Sequence, residues 1–444
     1  MNKQAQQTLV VGLGKTGLSC ARHLAAQGVP FALTDSRAEP PGLQELHTEM
    51  PDLTAHVGGF LDSDFSQAEQ IILSPGISRR EKHVQAAEQH GAEILGDIEL
   101  FARAAKAPVV AITGTNGKST VTTLVADMAR ASGKRVQVGG NLGEPALELL
   151  NAEQTELYVL ELSSFQLETT YSLNAIAAVV LNISADHMDR YDNLEAYTQV
   201  KQSIYRGDGV MVINSDDPLV AAMFDEKRKL IRFGLSAPKN DDFGLIEENG
   251  ELYLAKGQQS LLAISEMKLA GRHNYSNALA ALALGTAIDL ELDAMLDVLR
   301  TFKGLAHRSE WVAEVNGVRW YNDSKATNVG ATVAALEGMP GTLILIAGGD
   351  GKGADFSSLR DAVSERVRCV VLLGRDAALI EQAIQGAVPL RHARDMHDAV
   401  RQAADCAETG DSVLLSPACA SFDMYQNFEA RGADFIAAVG GLSS

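Results

Sequence analysis

Short apolar runs recur along the whole chain. Each ends in a glycine or polar turn, and most lead into a stretch where apolar residues return every third or fourth position. Residues 8–11 run into Gly12-Leu13-Gly14-Lys15-Thr16-Gly17. A helical face of Leu18, Ala21, Leu24 and Ala25 follows, and Gly28 stops it. A second run, 31–34, ends at Asp35, and 70–73 leaves into Ser74-Pro75-Gly76. Residues 108–112 precede another helical pattern, with Val121, Leu124, Val125, Met128 and Ala129 at i, i+3, i+4, i+7 and i+8. Further strands are predicted at 157–162, 177–183, 318–321, 342–347, 368–373 and 412–415. Strands alternating with helices predict an α/β chain built on parallel sheets.

The chain has 444 residues, which fits about three domains at ~100–200 residues each. The pattern divides into blocks 1–97, 98–304 and 305–444. Within the second, 235–260 carries Pro, Asn-Gly and Lys-Gly turns and reads as a small antiparallel excursion. Neither an internal repeat nor a low-complexity tract is visible.

Composition narrows the classes. Hydrophobic residues make up 46% and charged ones 21%, enough for large cores. The net charge of −19 argues against nucleic acid and anionic membranes as general partners. Cys20, Cys369, Cys406 and Cys419 are scattered without a C-x-x-C pair, so neither a zinc site nor a disulfide framework is expected. That usage fits a reducing cytoplasm. The first seven residues have no signal-type apolar core, and no stretch approaches the ~18 apolar residues of a spanning helix.

The chemistry gathers at strand ends. Thr113-Gly114-Thr115-Asn116-Gly117-Lys118-Ser119-Thr120 lies between a strand and a helix, the context of a phosphate-binding loop. Its backbone N–H groups and the helix N-terminus face an anion, Lys118 adds charge, and Ser119 is a Mg²⁺ ligand candidate. ATP or GTP is the implied ligand. Ile112 stands where the usual first glycine would be. Gly12, Gly14 and Gly17 form a G-x-G-x-x-G turn with Asp35 ending the next strand. By itself that reads as NAD, or more safely as some nucleotide on a doubly wound crevice; helix packing alone is the plain alternative.

Glu161 closes an apolar strand and is a hard-oxygen candidate for Mg²⁺ beside Ser119, against a solvent-exposed strand-end acid. His187, in Asn182–Arg190, is a metal ligand or proton-carrier candidate; a lone histidine is more often neither. Lys201 lies in a helical pattern with Leu194, Tyr197, Val200 and Ile204, and by pattern alone it belongs on a solvated face. In the third block, Asn322-Asp323-Ser324-Lys325-Ala326-Thr327-Asn328, Gly348–Gly353 with Lys352, and Ser416–Ser421 each follow a strand end. Together they define a binding face, although each alone is equally a plain turn.

These residues, in this order, resemble the Mur ligases, ATP-dependent amide-bond ligases of cell-wall precursor synthesis. The phosphate loop lacking its first glycine, Gly140–Gly143, Glu161–Leu167, Asp186–Arg190, Gly271–Asn274 and Asn322–Asn328 carry the likeness across all three blocks. The resemblance implies a Rossmann-like domain for UDP-substrate over 1–97, a central P-loop ATPase-like domain over 98–304, and a C-terminal Rossmann-like domain for the amino acid over 305–444. It implies ATP, two Mg²⁺ ions, UDP-N-acetylmuramoyl-L-alanine and D-glutamate, with no NAD, no nucleic acid, no membrane insertion, and a monomer.

By the same resemblance, Gly114, Thr115, Asn116, Gly117, Lys118, Ser119, Thr120, Asn274, Arg308 and Asp323 would bind ATP. Ser119 and Glu161 would hold one Mg²⁺; His187 and Lys201, the lysine as an N-carbamate, would hold the other. Thr16, Asp35 and Arg37 would lie near uracil and ribose, with Gly14, Ser74 and Gly76 beside them. Asn141, Ser163 and His187 would meet the substrate further along. Thr327, Lys352, Ser421 and Phe428 would position the incoming amino acid, and Lys325, also substrate-binding, would face phosphate or carboxylate. Closure of the third block onto the second is expected, with Gly304 as hinge. The competing classes are a sister ligase for another amino acid, an NAD-dependent dehydrogenase, which leaves the Gly-Lys-Ser loop idle, and a noncatalytic nucleotide-binding scaffold.

Overall fold

A computed structural model describes residues 8–269, 271–339 and 341–443. The first seven residues, read above for a leader, lie outside them. The N-terminal sheet is parallel and five-stranded, in the order Ala55–Val57, Phe31–Asp35, Thr8–Val11, Gln70–Leu73, Glu93–Leu95. Strand order reverses at Thr8–Val11, so the glycine turn and Ser74-Pro75-Gly76 meet at a switch-point crevice. Gly17 is obligatory there: a Cβ would stand 1.8 Å from Gly12 O.

The central sheet has nine strands. Six parallel strands surround Val109–Thr113, whose neighbours are Leu157–Glu161 and Ala177–Val180. The antiparallel excursion predicted at 235–260 is present, as an extension of this sheet. Phe243–Glu248 pairs in parallel with Leu230–Phe233, and Glu251–Lys256 and Gln259–Ala263 continue antiparallel at that edge. Helices Lys118–Ala131 and Arg272–Ala287 bury against one face. Ala278, Ala280, Ala281 and Ala283 are fully buried, so the second helix is apolar almost all round.

The C-terminal sheet runs Glu310–Val315, Val318–Asn322, Ser412–Leu415, Leu343–Ala347, Val367–Leu372, Leu390–His392. Only the first pair is antiparallel. The three predicted parallel strands are present; Leu390–His392 is an addition too short to give a pattern. The loops after Asn322, Ala347 and Leu415 therefore open on one edge. Cys369 and Cys406, distant in sequence, face each other as free thiols with sulfur atoms 2.7 Å apart.

Packing differs between the two junctions. One apolar cluster runs from Leu24, Leu46 and Leu95 through Ile98 and Phe101 to Tyr158, Leu160 and Leu167, binding the first block to the second. The two clusters of the third block draw only on residues from 312 onward. Among the described residues no helix is long and apolar enough to cross a membrane.

Candidate functional site

Two adjoining cavities, about 380 and 440 Å³, share Asn116, Gly117, Arg308 and Lys325 as walls. The phosphate loop therefore separates them. Ile112, in the place of the missing glycine, is fully buried inside strand Val109–Thr113, so the strand simply runs further before the turn begins. Gly114 (φ +151°) and Gly117 (φ +82°) make the turn. A Cβ on Gly117 would come within 2.4 Å of Asn277 Oδ1. Asn182 fixes the loop: its side chain accepts from Asn116 N at 2.8 Å, and its carbonyl accepts from Thr115 N at 2.9 Å. Lys118 Nζ donates to Gly114 O and Thr115 O, and burial lowers its pKa. Thr120, Asn274 and Asp323 line the smaller cavity.

The larger cavity gathers Asn141, Glu161, Ser163, His187, Lys201, Lys325, Thr327, Lys352, Ser421 and Phe428 around Lys118. Glu161 ends its strand 2% exposed. Asn141 Nδ2 donates to Oε1 at 2.6 Å, while Oε2 is buried with no protein partner. A carboxylate oxygen left in that state fits a cation ligand. Ser119 Oγ accepts from Arg308 Nη2 at 2.8 Å. His187 has φ +56°, and burial holds its pKa down to about 4 against the opposing Asp186 charge, so the imidazole is neutral and able to ligate.

Lys201 is not on a solvated face. It is 1% exposed, and its Nζ donates to Gly114 O at 2.9 Å and Thr113 Oγ1 at 3.3 Å. Burial first, then Lys118, pushes its pKa well below the ordinary lysine range. The Glu161 carboxylate, the Ser119 hydroxyl, the neutral His187 imidazole and the buried Lys201 amine thus stand around the loop. The carboxylate and hydroxyl oxygens are hard donors of the kind Mg²⁺ prefers.

The third block enters through Lys352, whose Nζ lies 3.0 Å from Asp186 Oδ1, and through Lys325, whose Nζ sits 3.7 Å above the Phe428 ring. Burial, then Arg308, brings Lys325 down to about 8. Asp323 accepts from Ser416 Oγ at 2.8 Å and Ser309 N at 3.0 Å, and burial raises it to about 7. Ser163 begins a short helix with a capping box to Gln166.

Gly14, Thr16, Asp35, Arg37, Ser74 and Gly76 line neither cavity; they lie at the first sheet's crevice. Asp35 is fully buried. Its Oδ2 accepts from Leu13 N at 2.6 Å and its Oδ1 from Arg37 N and Nε, so it braces the glycine turn. Residues that sequence reasoning left without a role also converge. Asp186 bridges Lys352 and Asn328, and Asn328 Nδ2 donates to Asn116 Oδ1 at 3.2 Å. Both stand inside motifs already quoted, which was their only signal.

A parallel α/β chain with a phosphate loop, a glycine-turn crevice at a sheet switch point, and a cavity that sets Lys118 and Glu161 against Lys325 and Lys352 has the layout of a nucleotide-dependent ligase. Family models for the Mur ligase MurD-like N-terminal domain, the Mur ligase middle domain and the Mur ligase glutamate ligase domain match residues 6–96, 112–285 and 307–419. The chain belongs to the Mur ligase family. It is 56% identical to UDP-N-acetylmuramoylalanine–D-glutamate ligase of Nitrosococcus oceani, over 98% of this chain and 96% of that one. It is 55% identical to the protein of the same name from Pseudomonas aeruginosa, over 97% of each. Solved structures share the fold: UDP-N-acetylmuramate-alanine ligase MurC of Thermotoga maritima (TM-score 0.63, 18% identity, 98% and 99% covered) and a folylpolyglutamate synthase of Mycobacterium tuberculosis (TM-score 0.59, 17% identity, 76% and 92% covered).

Proposed function

We infer that the chain joins D-glutamate to UDP-N-acetylmuramoyl-L-alanine with hydrolysis of ATP to ADP and phosphate, a step of peptidoglycan precursor synthesis. The observation carrying this reading is the larger cavity, where the phosphate loop and Glu161 face Lys352, Thr327, Ser421 and Phe428 from the third block. Near full-length identity to the D-glutamate ligases selects the substrates within that chemistry.

The substrate carboxylate attacks the γ-phosphorus and ADP leaves, giving an acyl phosphate. The D-glutamate amine then attacks the acyl carbon, phosphate leaves, and the amine gives up a proton. Lys118 and the loop N–H groups hold the phosphoryl oxygens, Arg308 reaches Ser119 at the same end, and Lys352 pairs with an incoming carboxylate. Mg²⁺ held by Ser119 and Glu161, and by His187 and Lys201, would offset negative charge on the transferring group.

An ammonium would repel that ion. The buried Lys201 amine, its pKa driven down by burial, is suited instead to add CO₂ with loss of a proton and become an anionic oxygen donor. Intact mass in bicarbonate should exceed the chain mass by one CO₂, and Lys201→Ala should lose the increment. An unmodified mass with Mg²⁺ and nucleotide bound removes the carbamate from the scheme.

The deciding assay is ADP release with UDP-N-acetylmuramoyl-L-alanine over a panel of L- and D-amino acids. D-Glutamate should give the largest rate. Release driven by another amino acid would point to the sister-ligase alternative.

A further inference from the structure

Arg190 has no role in the chemistry above, yet its guanidinium ties the first block to the second. Its side chain is 11% exposed. Nη1 donates to Pro75 O at 2.9 Å and Nη2 to Ile77 O at 3.2 Å, both in the turn beside the glycine crevice. Nη2 and Nε also hold Glu168 Oε2 and Oε1 at 2.7 and 3.2 Å. The guanidinium lies 4.1 Å from the centre of the Phe165 ring, and that ring is 4.6 Å from the imidazole of His187. The backbone closes the path, because Arg190 N donates to His187 O at 2.9 Å. On the other side, Ser74 Oγ donates to Gly12 O at 2.9 Å, tying the turn to the glycine loop.

We propose that Arg190 is a positioning residue that fixes the span between the nucleotide crevice of the first sheet and the reacting centre at His187 and the phosphate loop. The proposal rests on the ligase reading. A substrate anchored at its uridine diphosphate and reacting at its far carboxylate has a set reach, so the protein must hold the two ends at a set separation. The apolar seam through Ile98 and Phe101 gives adhesion without direction. A planar fork bonded to two main-chain carbonyls on one side, and to a carboxylate and a ring on the other, sets both distance and angle. Glu168 is itself held, accepting from Tyr191 OH at 2.6 Å, so the fork has a rigid seat.

The test uses Arg190→Lys, which keeps the charge but not the fork, together with Phe165→Leu. A displacement near 1 Å costs on the order of 10²-fold in rate, so kcat should fall about 30- to 100-fold in Arg190→Lys. Dissociation constants for ADP and UDP alone should stay within about threefold, since neither ligand by itself spans the joint between the first and second blocks. Phe165→Leu should lower kcat in the same direction, and the double variant should lose less than the product of the two. A kcat within threefold of wild type overturns the proposal. So does a parallel loss of kcat, both affinities and melting temperature, which marks a merely structural role. Hydrogen exchange separates this from failure of the ligase reading. Even if wild type releases no ADP with D-glutamate, Arg190→Lys should raise exchange in 74–78 and 186–189 together, and unchanged exchange there overturns the joint.

Discussion

Asp97 opens helix Asp97–Ala104 at the joint of the first two blocks, 1% exposed. Its Oδ2 accepts from Gln166 Nε2 at 3.0 Å, and its Oδ1 has no protein partner. Burial lifts its pKa from 3.8 to about 6, against the pull of Gln166. A pKa raised in the folded state adds stability that is fully present below the unfolded value and lost as pH rises through the folded one. Asp97 therefore disfavours folding by about 3 kcal/mol above pH ~6 relative to acid. Asp97→Asn removes the titration, and whatever its amide costs applies equally at every pH. Urea midpoints should show the variant gaining on wild type by a few kcal/mol between pH 4 and 7.5. An unchanged difference across that range would sink the assignment. The same scale shows what pattern reading misses. Lys201 sits on a helix whose i, i+4 neighbour is Tyr197, and nothing in that spacing says the amine is buried against Gly114 O. Arg190 gives no signal beyond its place in the motif 186–190, because its partners across the joint are main-chain carbonyls of residues 75 and 77.

At the level of elements, legibility follows how strictly the backbone dictates residue type. The glycine turns were readable because their geometry admits little else: Gly17 packs against Gly12 O, and Gly114 against Leu181. Strands 109–113, 157–161 and 343–347 were readable because both faces are buried, leaving continuous apolar runs. Boundaries shifted by one to three residues, as when Val318–Asn322 took in Asn322 and the strand expected over 177–183 ended at Val180. Strands at or near the sheet edges were harder to read for the opposite reason. Leu390–His392 has three half-buried or exposed residues, and Phe243–Glu248 ends in two exposed glutamates, so neither shows a clear period. The resemblance supplied the ligand roles; periodicity supplied only the strand ends on which those residues sit.

Across the whole molecule, the two junctions assign different mobility. The first and second blocks share an apolar core, whereas the third meets the second through polar contacts: Lys352 to Asp186, Arg308 to Ser119, and Asn328 to Asn116 and Asp186. Polar seams of this kind open and close more readily than a shared core. Gly304, at φ +96°, lies on the smaller cavity's wall near that seam, where a Cβ would press on Leu269 at 3.0 Å. Asn328 tests the seam without disturbing the fold. Its Oδ1 caps helix Val329–Gly338 by accepting from Ala331 N at 2.9 Å, a task aspartate performs equally well. Asn328→Asp thus keeps the cap, loses the donors to Asn116 and Asp186, and sets a carboxylate against the one on Asp186. The melting temperature should stay within about 2 °C, because the cap and both cores are intact. Closure should suffer: kcat should fall on the order of 10- to 100-fold, and the compaction seen by X-ray scattering on adding nucleotide should shrink. Ser184 Oγ would stand 3.2 Å from a Cβ on Gly330, so this helix end has little room to find another seat on the phosphate loop. If Asn328→Asp turns over at the wild-type rate and compacts fully, the carboxamide pair does not hold the third block shut. The contacts of Lys352 with Asp186 and of Arg308 with Ser119 would then have to do so.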